Sequence, residues 1–448
     1  MRNVLFIVHG FPPLGGAGVQ RVAKFVKYLP QFGWTPVVLT ARLDRRDLAV
    51  ADTSLLRELP RDLAVYRSPC PEPFALYRRL GGRAKLGSAA FSETARTVGL
   101  SGKLAQTVQK LLVPDMKVFW LPSAVGEARR IFARHPIEAM VSSSPWETAH
   151  LVAARLRELY RVPWVADFRD PWTQASWNPV HPGPLGTVNE WLERLTLRRA
   201  DAVVVTSQTT AQLLAGRTAG ATRAGKIRLI YNGYDESDFA GVAPRQFDRF
   251  TIVYAGRAVM PGRGPEALLA GVRRLVERRR ELDGRLQIVF IGARSVEAER
   301  LVAGFGLTST TQFTGYLPHQ ACLAQVAGAD LLYLNTIPEC IPGKFTEYLR
   351  AGRPILAVMD PACEVARLTE ELGAGTVVGP QPEAVSAAIE QYLDGKHAMR
   401  SMPGETGAER PRAEQFSRRF LTGQLAALLE ELTDAGAKHR GEKGPTSS

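Results

Sequence analysis

Cysteine is scarce in this chain. The four present, Cys70, Cys322, Cys340 and Cys363, form neither a close pair nor a metal-binding spacing. That argues against a disulfide scaffold and fits a reducing, cytoplasmic setting. Long apolar runs are missing too: none approaches the ~18 residues of a membrane span. The N-terminal VLFIV is too short for a signal segment and is followed by no small-residue cleavage site. It reads instead as a buried first strand. The seven histidines show no metal-ligand pattern, and there is no internal repeat. Acidic residues are thin in the first part of the chain. Residues 1–200 hold 28 Lys and Arg against 16 Asp and Glu, so +12 of the net +13 lies there. Such a surface suits an anionic partner (phospholipid headgroups, a polyprenyl-phosphate-linked acceptor, nucleic acid) or is simply solvated. Nucleic acid is the least supported, because basic and aromatic residues do not interleave.

What is present is an alternation of strand-like runs and helical patterns along 448 residues. The length exceeds the ~250–300 residues of one core, so two domains are expected. Strands are read at Val4–Val8, Pro36–Leu39, Ala139–Ser142, Trp164–Asp167 and Ala202–Thr206, then at Thr251–Tyr254, Gln287–Ile291, Thr311–Phe313, Leu331–Leu334, Pro354–Val358 and Gly375–Val378. A helix over Gly18–Gly33 places Val22, Phe25, Val26 and Leu29 on one face. The pattern implies α/β architecture with two Rossmann-like doubly wound domains, 1–232 and 251–400, around a linker at 233–250. A long helix falls within 401–432, and 433–448 reads as a disordered tail. The broken basic stretch from Pro69 to Trp120 suits surface helices touching a membrane, or a cap on the sheet edge. In doubly wound folds ligands bind at the carboxyl ends of the strands, which predicts a central cleft.

Residues 334–357, LNTIPECIPGKFTEYLRAGRPILA, carry Glu339 and Glu347. Pro342 fits a first helical position and Gly352 a C-cap, so Glu339 lies on the incoming loop and Glu347 within the helix. Between them the helix start offers N–H groups at Gly343, Lys344 and Phe345. One carboxylate, an anion site and a second carboxylate match sugar, diphosphate and ribose. Lys344 works against the helix dipole unless it faces an anion. Elsewhere HGFPPLGGAGVQR places Gly15 and Gly16 before a helix, either as a phosphate-approaching loop or as a plain tight turn. In VADFRDPWT, Asp167, Arg169 and Asp170 follow a strand end, either at the cleft edge with a functional role, Asp170 as a catalytic candidate, or as an Arg–Asp pair for structure alone, and Trp172 stacks on a sugar or belongs to the core. His9 contacts substrate or is structural. In YAGRAVMPGRG, Arg257 and Arg263 lie on a glycine-bearing loop suited to a diphosphate and to charge growing on a leaving group. Cys340 reads as a filler.

Together FPPLGGAGVQR, ADFRDPW, ADAVVVTS, NGYDESDF, YAGR…GRG, TGYLPH and the paired-glutamate segment with EYLRAGRPIL resemble the retaining GT-B glycosyltransferases of family 4, the group 1 type. The resemblance implies a nucleotide-sugar donor (UDP-, GDP- or ADP-linked) on the C-terminal domain and an acceptor on the N-terminal one. It also implies a last helix crossing back to the first domain, a role open to 412–432. It assigns Glu339 to the donor sugar's hydroxyls, Glu347 to the ribose, and Arg257 with Arg263 to the diphosphate. Gly16 falls in the loop touching donor phosphate and acceptor. The family usually has lysine where Arg263 stands, which changes a point charge to a planar fork. A histidine common in the family is replaced at Ser143 or Ser144 in SSSPWETAH, leaving Ser144 and the Asp167–Asp170 segment as acceptor-side candidates. No nucleophile–base pair emerges, in keeping with front-face retention in which a donor phosphate oxygen accepts the acceptor's proton. The Asp-x-Asp metal motif of the other common glycosyltransferase fold is absent, so no metal and no cofactor are expected. The expected function is metal-independent transfer to a glycan or lipid-linked acceptor, in the cytoplasm or at the inner membrane face. The alternatives are a small natural-product acceptor or a non-catalytic nucleotide-sugar-binding protein.

Overall fold

The structure, a computed structural model, describes residues 1–15, 17–42, 55–71, 110–175, 181–217, 225–259, 264–338, 340–395 and 413–441. Two compact units result, one from residues 1–231 with 422–448, the other from 232–421.

The first unit runs β1 (Arg2–Ile7), α1 (Ala17–Tyr28), β2 (Trp34–Ala41), β3 (Ala64–Ser68), α2 (Leu121–Arg134), β4 (Ile137–Ser143), α3 (Thr148–Tyr160), β5 (Trp164–Phe168), α4 (Pro184–Arg199), β6 (Ala202–Val205), α5 (Gln208–Arg217) and β7 (Ile227–Leu229). Its strands lie in the order β3-β2-β1-β4-β5-β6-β7, all parallel. Both faces of the central strands are covered, so Val4 to Ile7 are buried without alternation. Trp120, Ile131, Leu156 and Trp164 belong to the core on one side of this sheet. On α1 the expected residues Val22, Phe25 and Val26 are buried. That helix stops at Tyr28, followed by a 3-10 turn over Leu29–Phe32 containing Pro30 and closed by left-handed Gly33. The order of the strands reverses between β1 and β4, which makes that edge the topological switch point.

The second unit opens with the short helix α6 (Glu236–Phe239), capped by the Asp235 side chain, which accepts from Ser237 N. The stretch read as a linker thus carries structure and belongs to this unit. There follow β8 (Phe250–Ala255), α7 (Glu266–Arg278), β9 (Leu286–Ile291), α8 (Val296–Gly304), β10 (Thr311–Gly315), α9 (His319–Gly328), β11 (Leu331–Leu334), α10 (Gly343–Ala351), β12 (Ile355–Val358), α11 (Glu364–Glu371), β13 (Gly375–Val378) and α12 (Pro382–Leu393). The sheet order is β10-β9-β8-β11-β12-β13, again wholly parallel, with its switch between β8 and β11. The last helix, α13, spans Arg418–Gly441 and not 412–432. From Thr422 it adds to the first unit, where Leu425 and Leu429 are buried and Arg2 Nη1 donates to Thr433 Oγ1 at 2.9 Å. Residues 433–441, expected to be a disordered tail, therefore continue a helix. Residues 442–448 and most of the basic 69–120 stretch (72–109) lie outside the described residues. Among the described residues no helix is long and apolar enough to cross a membrane.

Candidate active site

In the second unit the site gathers at the carboxyl edge of the sheet. Gly256 and Gly292, just past β8 and β9, have φ of 123° and 148°. A Cβ on Gly292 would stand 2.4 Å from Gly256 O, so two loops touch backbone to backbone there. Arg257 follows, half-buried, with its carbonyl accepting from Tyr254 Oη at 2.9 Å. Next to this edge lies α10, held by Tyr348, whose buried hydroxyl accepts from Ala255 N at 2.9 Å. Phe345, Thr346, Tyr348 and Leu349 form its buried face, leaving Gly343, Lys344 and Glu347 on the more open one. The Lys344 ammonium lies 3.4 Å from the centroid of the Tyr254 ring, and a Cβ on Gly256 would meet it at 3.8 Å. The helix start, the lysine and the glycine-bearing loop after β8 thus converge.

Two details differ from the sequence reading. Pro342 is the N-cap and not the first helical residue. Phe345 N–H is not available to an anion, because it donates to Pro342 O at 2.9 Å, and its ring is buried. Gly343 is exposed at the first helical position. Glu347 is half-buried, with Oε1 3.0 Å from His319 Nε2, a partner the sequence reading did not single out. Upstream, Thr336 Oγ1 donates to Cys340 O at 2.9 Å and Cys340 N to Ile337 O at 3.2 Å. Glu339 itself, Arg263 and Gly16 lie outside the described residues.

In the first unit the candidates cluster past β1, β4 and β5 and divide by burial. Asp167 is buried in an ion pair with Arg21 at 3.0 Å and also accepts from Ser143 Oγ at 2.7 Å. Burial pushes its carboxyl up, but Arg21 and Ser143 outweigh this and hold it below the usual range. Sequence pattern does not single out Arg21, which lies 146 residues from Asp167, on α1. The Asp167 carboxylate is thus engaged internally and is corrected from acceptor contact to structural anchor. Trp172 is likewise corrected: it is 3% exposed in the core, with Nε1 donating to Asn189 Oδ1 at 3.0 Å, and has no open face for a sugar. His9 is buried edge-on to Trp120 and Trp146, and burial followed by the Lys117 charge pushes its pKa well below normal, so the ring is neutral. His150 is also buried, sharing a 2.7 Å hydrogen bond with Ser142 Oγ, and burial lowers it to about 4.

Nearer the open edge are Gly15, Arg169 and Asp170, each half-buried. Ser144, though buried, braces Arg169: its Oγ accepts from Arg169 N at 3.2 Å and its carbonyl from Arg169 Nη1 at 3.3 Å. A Cβ on Gly18 would come within 2.8 Å of that Nη1, so the glycine leaves room for the guanidinium. A further residue, Glu147, enters here. It precedes α3, and its carboxyl is pushed up to about 8 by burial, then by the charges of Asp115, Asp170 and Glu193. Asp115 and Glu193 are engaged by Thr148 and Thr173 respectively. At neutral pH Glu147 is therefore mostly a protonated acid near Asp170.

The raised Glu147 has a sign that can be checked. Its folded pKa exceeds the unfolded value of ~4.5, so its contribution is full below that value and lost as pH rises towards 8. Glu147→Gln is expected to match wild-type stability near pH 5 and exceed it by about 1–3 kcal/mol at pH 9. Denaturant melts at both pH values check this; a difference that does not change with pH would refute it.

Residues 14–238 match the family model "Glycosyltransferase Family 4", and 249–395 match "Glycosyl transferases group 1". A 2-deoxystreptamine glucosyltransferase of Streptomyces kanamyceticus is 30% identical over 175 residues, 37% of this chain. The chain spans only 44% of that protein's length in the match. Among solved structures, Anabaena Alr3699/HepE in complex with UDP superposes with a TM-score of 0.62 at 18% identity, over 96% of this chain and all of that one. Sucrose-phosphate synthase of Thermosynechococcus elongatus gives 0.66 at 18% identity, over 97% and 100%. At such identities these structures speak to the fold alone, which is GT-B. With a family model covering half of its length and a second model following it, the chain belongs to the family 4, group 1 glycosyltransferases.

Proposed function

We propose that the second unit binds a nucleoside-diphosphate sugar and that the sugar passes, with retention and without a metal, to an acceptor bound by the first unit. The observation that carries this reading is the layout of α10. Lys344 stands at its start beside the Gly256 loop, and Glu347 lies one turn further, about 4–5 Å along the axis. That rise suits a diphosphate followed by a ribose. Arg257 and Arg263 add positive charge for the leaving diphosphate, and Glu339 serves the sugar hydroxyls. The bond to the anomeric carbon breaks as the acceptor oxygen forms its own on the same face, and a donor phosphate oxygen takes the acceptor's proton. The protein then positions reactants and stabilises charge. The UDP held by the Anabaena protein, and the UDP-glucose held by the same protein in another structure, support a nucleotide-sugar donor.

For the acceptor, Asp170 and the protonated Glu147 favour a small polyhydroxylated molecule bearing amines, as does the aminocyclitol named for the Streptomyces relative. The positive excess of residues 1–200 favours the second reading, a glycan or lipid-linked acceptor at an anionic inner membrane face. Free nucleotide is measured after incubation with UDP-, GDP- and ADP-sugars, alone, with a diaminocyclitol, and with membrane lipid extract. Release with the cyclitol supports the first acceptor, and release with lipid alone supports the second. Donor binding without release under any condition would leave a non-catalytic binding protein. Glu347→Ala is expected to weaken nucleotide binding about 10-fold or more, one charge-assisted hydrogen-bond set to the ribose. Calorimetric titration with an unchanged affinity would remove Glu347 from the donor site.

A further inference from the structure

The Glu347 carboxylate is held from a second helix. His319 is the first residue of α9, and its Nε2 lies 3.0 Å from Glu347 Oε1 on α10. Its Nδ1 faces Asp238 Oδ2 on α6 at 3.9 Å. The histidine is 28 residues from Glu347 in sequence, so the contact comes from packing of α9 on α10 and not from spacing within one helix. Other charged and titratable groups nearby have their own engagements. Arg350 on α10 pairs with Glu236 on α6 at 2.7 Å, and Lys344 lies over Tyr254. Cys322, one turn along α9, has its thiol pushed up to about 12 by burial and then by the Glu347 charge, so it stays neutral. Among the described residues His319 is the hydrogen-bond partner of the Glu347 carboxylate, and Oε2 is left to accept from something else.

We propose that His319 is a positioning residue for donor binding. By donating from Nε2 to Oε1 it fixes the plane of the Glu347 carboxylate and presents Oε2 to the ribose 2′-hydroxyl. This rests on Glu347 being the ribose ligand, as read above.

The test is calorimetric titration of UDP, GDP and ADP and their 2′-deoxy counterparts into wild type, His319→Ala, His319→Gln and Glu347→Ala, with donor kinetics alongside. His319→Ala is expected to weaken the ribonucleotide about 10-fold, seen in KM for the donor with kcat near wild type. His319→Gln, which can still donate to Glu347, should recover to within about threefold. With the 2′-deoxy nucleotide, wild type and His319→Ala should nearly coincide. The proposal is overturned if His319→Ala binds like wild type while Glu347→Ala is weak. Equal losses in the alanine and glutamine variants, or equal losses on ribo- and deoxynucleotide, also overturn it, by making the role one of folding. If Glu347→Ala itself binds normally, or wild type binds none of the nucleotides, the donor-site reading has failed and this inference falls with it.

Discussion

Replacing Arg21 with alanine is expected to cost the first unit most of its stability. The guanidinium is fully buried, and its Nε and Nη2 reach the Asp167 carboxylate at 3.1 and 3.0 Å. Nη1 and Nη2 also donate to Tyr231 O at 2.8 Å and Ile230 O at 3.0 Å. One side chain thus ties α1 to the end of β5 and to the segment after β7. Truncation leaves a carboxylate at 1% exposure without its counter-ion, a loss of about 3–5 kcal/mol. Against a net stability of ~5–15 kcal/mol the first unit becomes marginal, and its melting transition should drop by about 10 °C or more. Scanning calorimetry with nucleotide present would separate the units, because a ligand of the second should raise only that unit's transition. The double variant Arg21→Met, Asp167→Leu removes both charges and should recover much of the loss. A single variant melting within a degree or two of wild type would mean the pair is dispensable.

The same pair fixes how the fold responds to acid. Arg21 and Ser143 hold Asp167 below the usual carboxylate range despite burial, so its contribution is full above its unfolded pKa of ~3.9 and fades as pH falls below that. His150, neutral in the fold down to about 4, acts in the same direction over the window from 6.5 to 4, because the unfolded chain binds its proton first. Glu147 pulls the other way as pH rises from about 4.5 to 8. The two slopes oppose each other between about 4.5 and 6.5 and only the Glu147 loss remains above that, so the stability maximum of the first unit is expected on the acid side of neutrality.

The central strands were readable because both their faces are covered, which leaves continuous apolar runs such as Leu331–Leu334 and Val4–Ile7. The edge strands β3 and β7 carry no such signal. AVYRS and IRL are short, carry an arginine each, and are mostly half-buried, so neither an apolar run nor clean alternation marks them. On α10 the candidate residues are close in sequence, and proline and glycine punctuate the helix, so local rules sufficed. What could not be read were pairs made by topology. Arg21 meets Asp167 because β5 lies two places from β1 in the sheet, and His319 meets Glu347 because α9 packs on α10. Trp172 showed the reverse problem: an aromatic just past a strand end looks the same in sequence whether it faces solvent or, as here, Asn189 in the core.

The largest expected effect on activity belongs to Lys344, and it should separate from stability. A cation at a helix N-terminus is unfavourable by about 0.3–1 kcal/mol, and its contact with the Tyr254 ring returns a similar ~0.5–1 kcal/mol. Folding therefore gains little from this ammonium, and Lys344→Met should melt within a few degrees of wild type. Donor chemistry should suffer far more. With the proposed donor, the diphosphate would gain negative charge as the glycosidic bond breaks, and at ~4 Å with an effective dielectric near 20 one charge pair is worth about 4 kcal/mol. Loss of one preorganised donor to developing charge typically lowers turnover about 10²–10³-fold. Because the charge grows in the transition state, kcat should fall more than nucleotide affinity. Lys344→Arg should restore only part of the rate: a planar fork keeps the charge but not the compact ammonium that fits between the Tyr254 ring and the Gly256 loop. Melting temperature, nucleotide affinity and single-turnover rate measured on the same two variants decide the matter. A methionine variant that turns over normally but melts early would make Lys344 a packing residue, and the anion site on α10 would lose its principal cation.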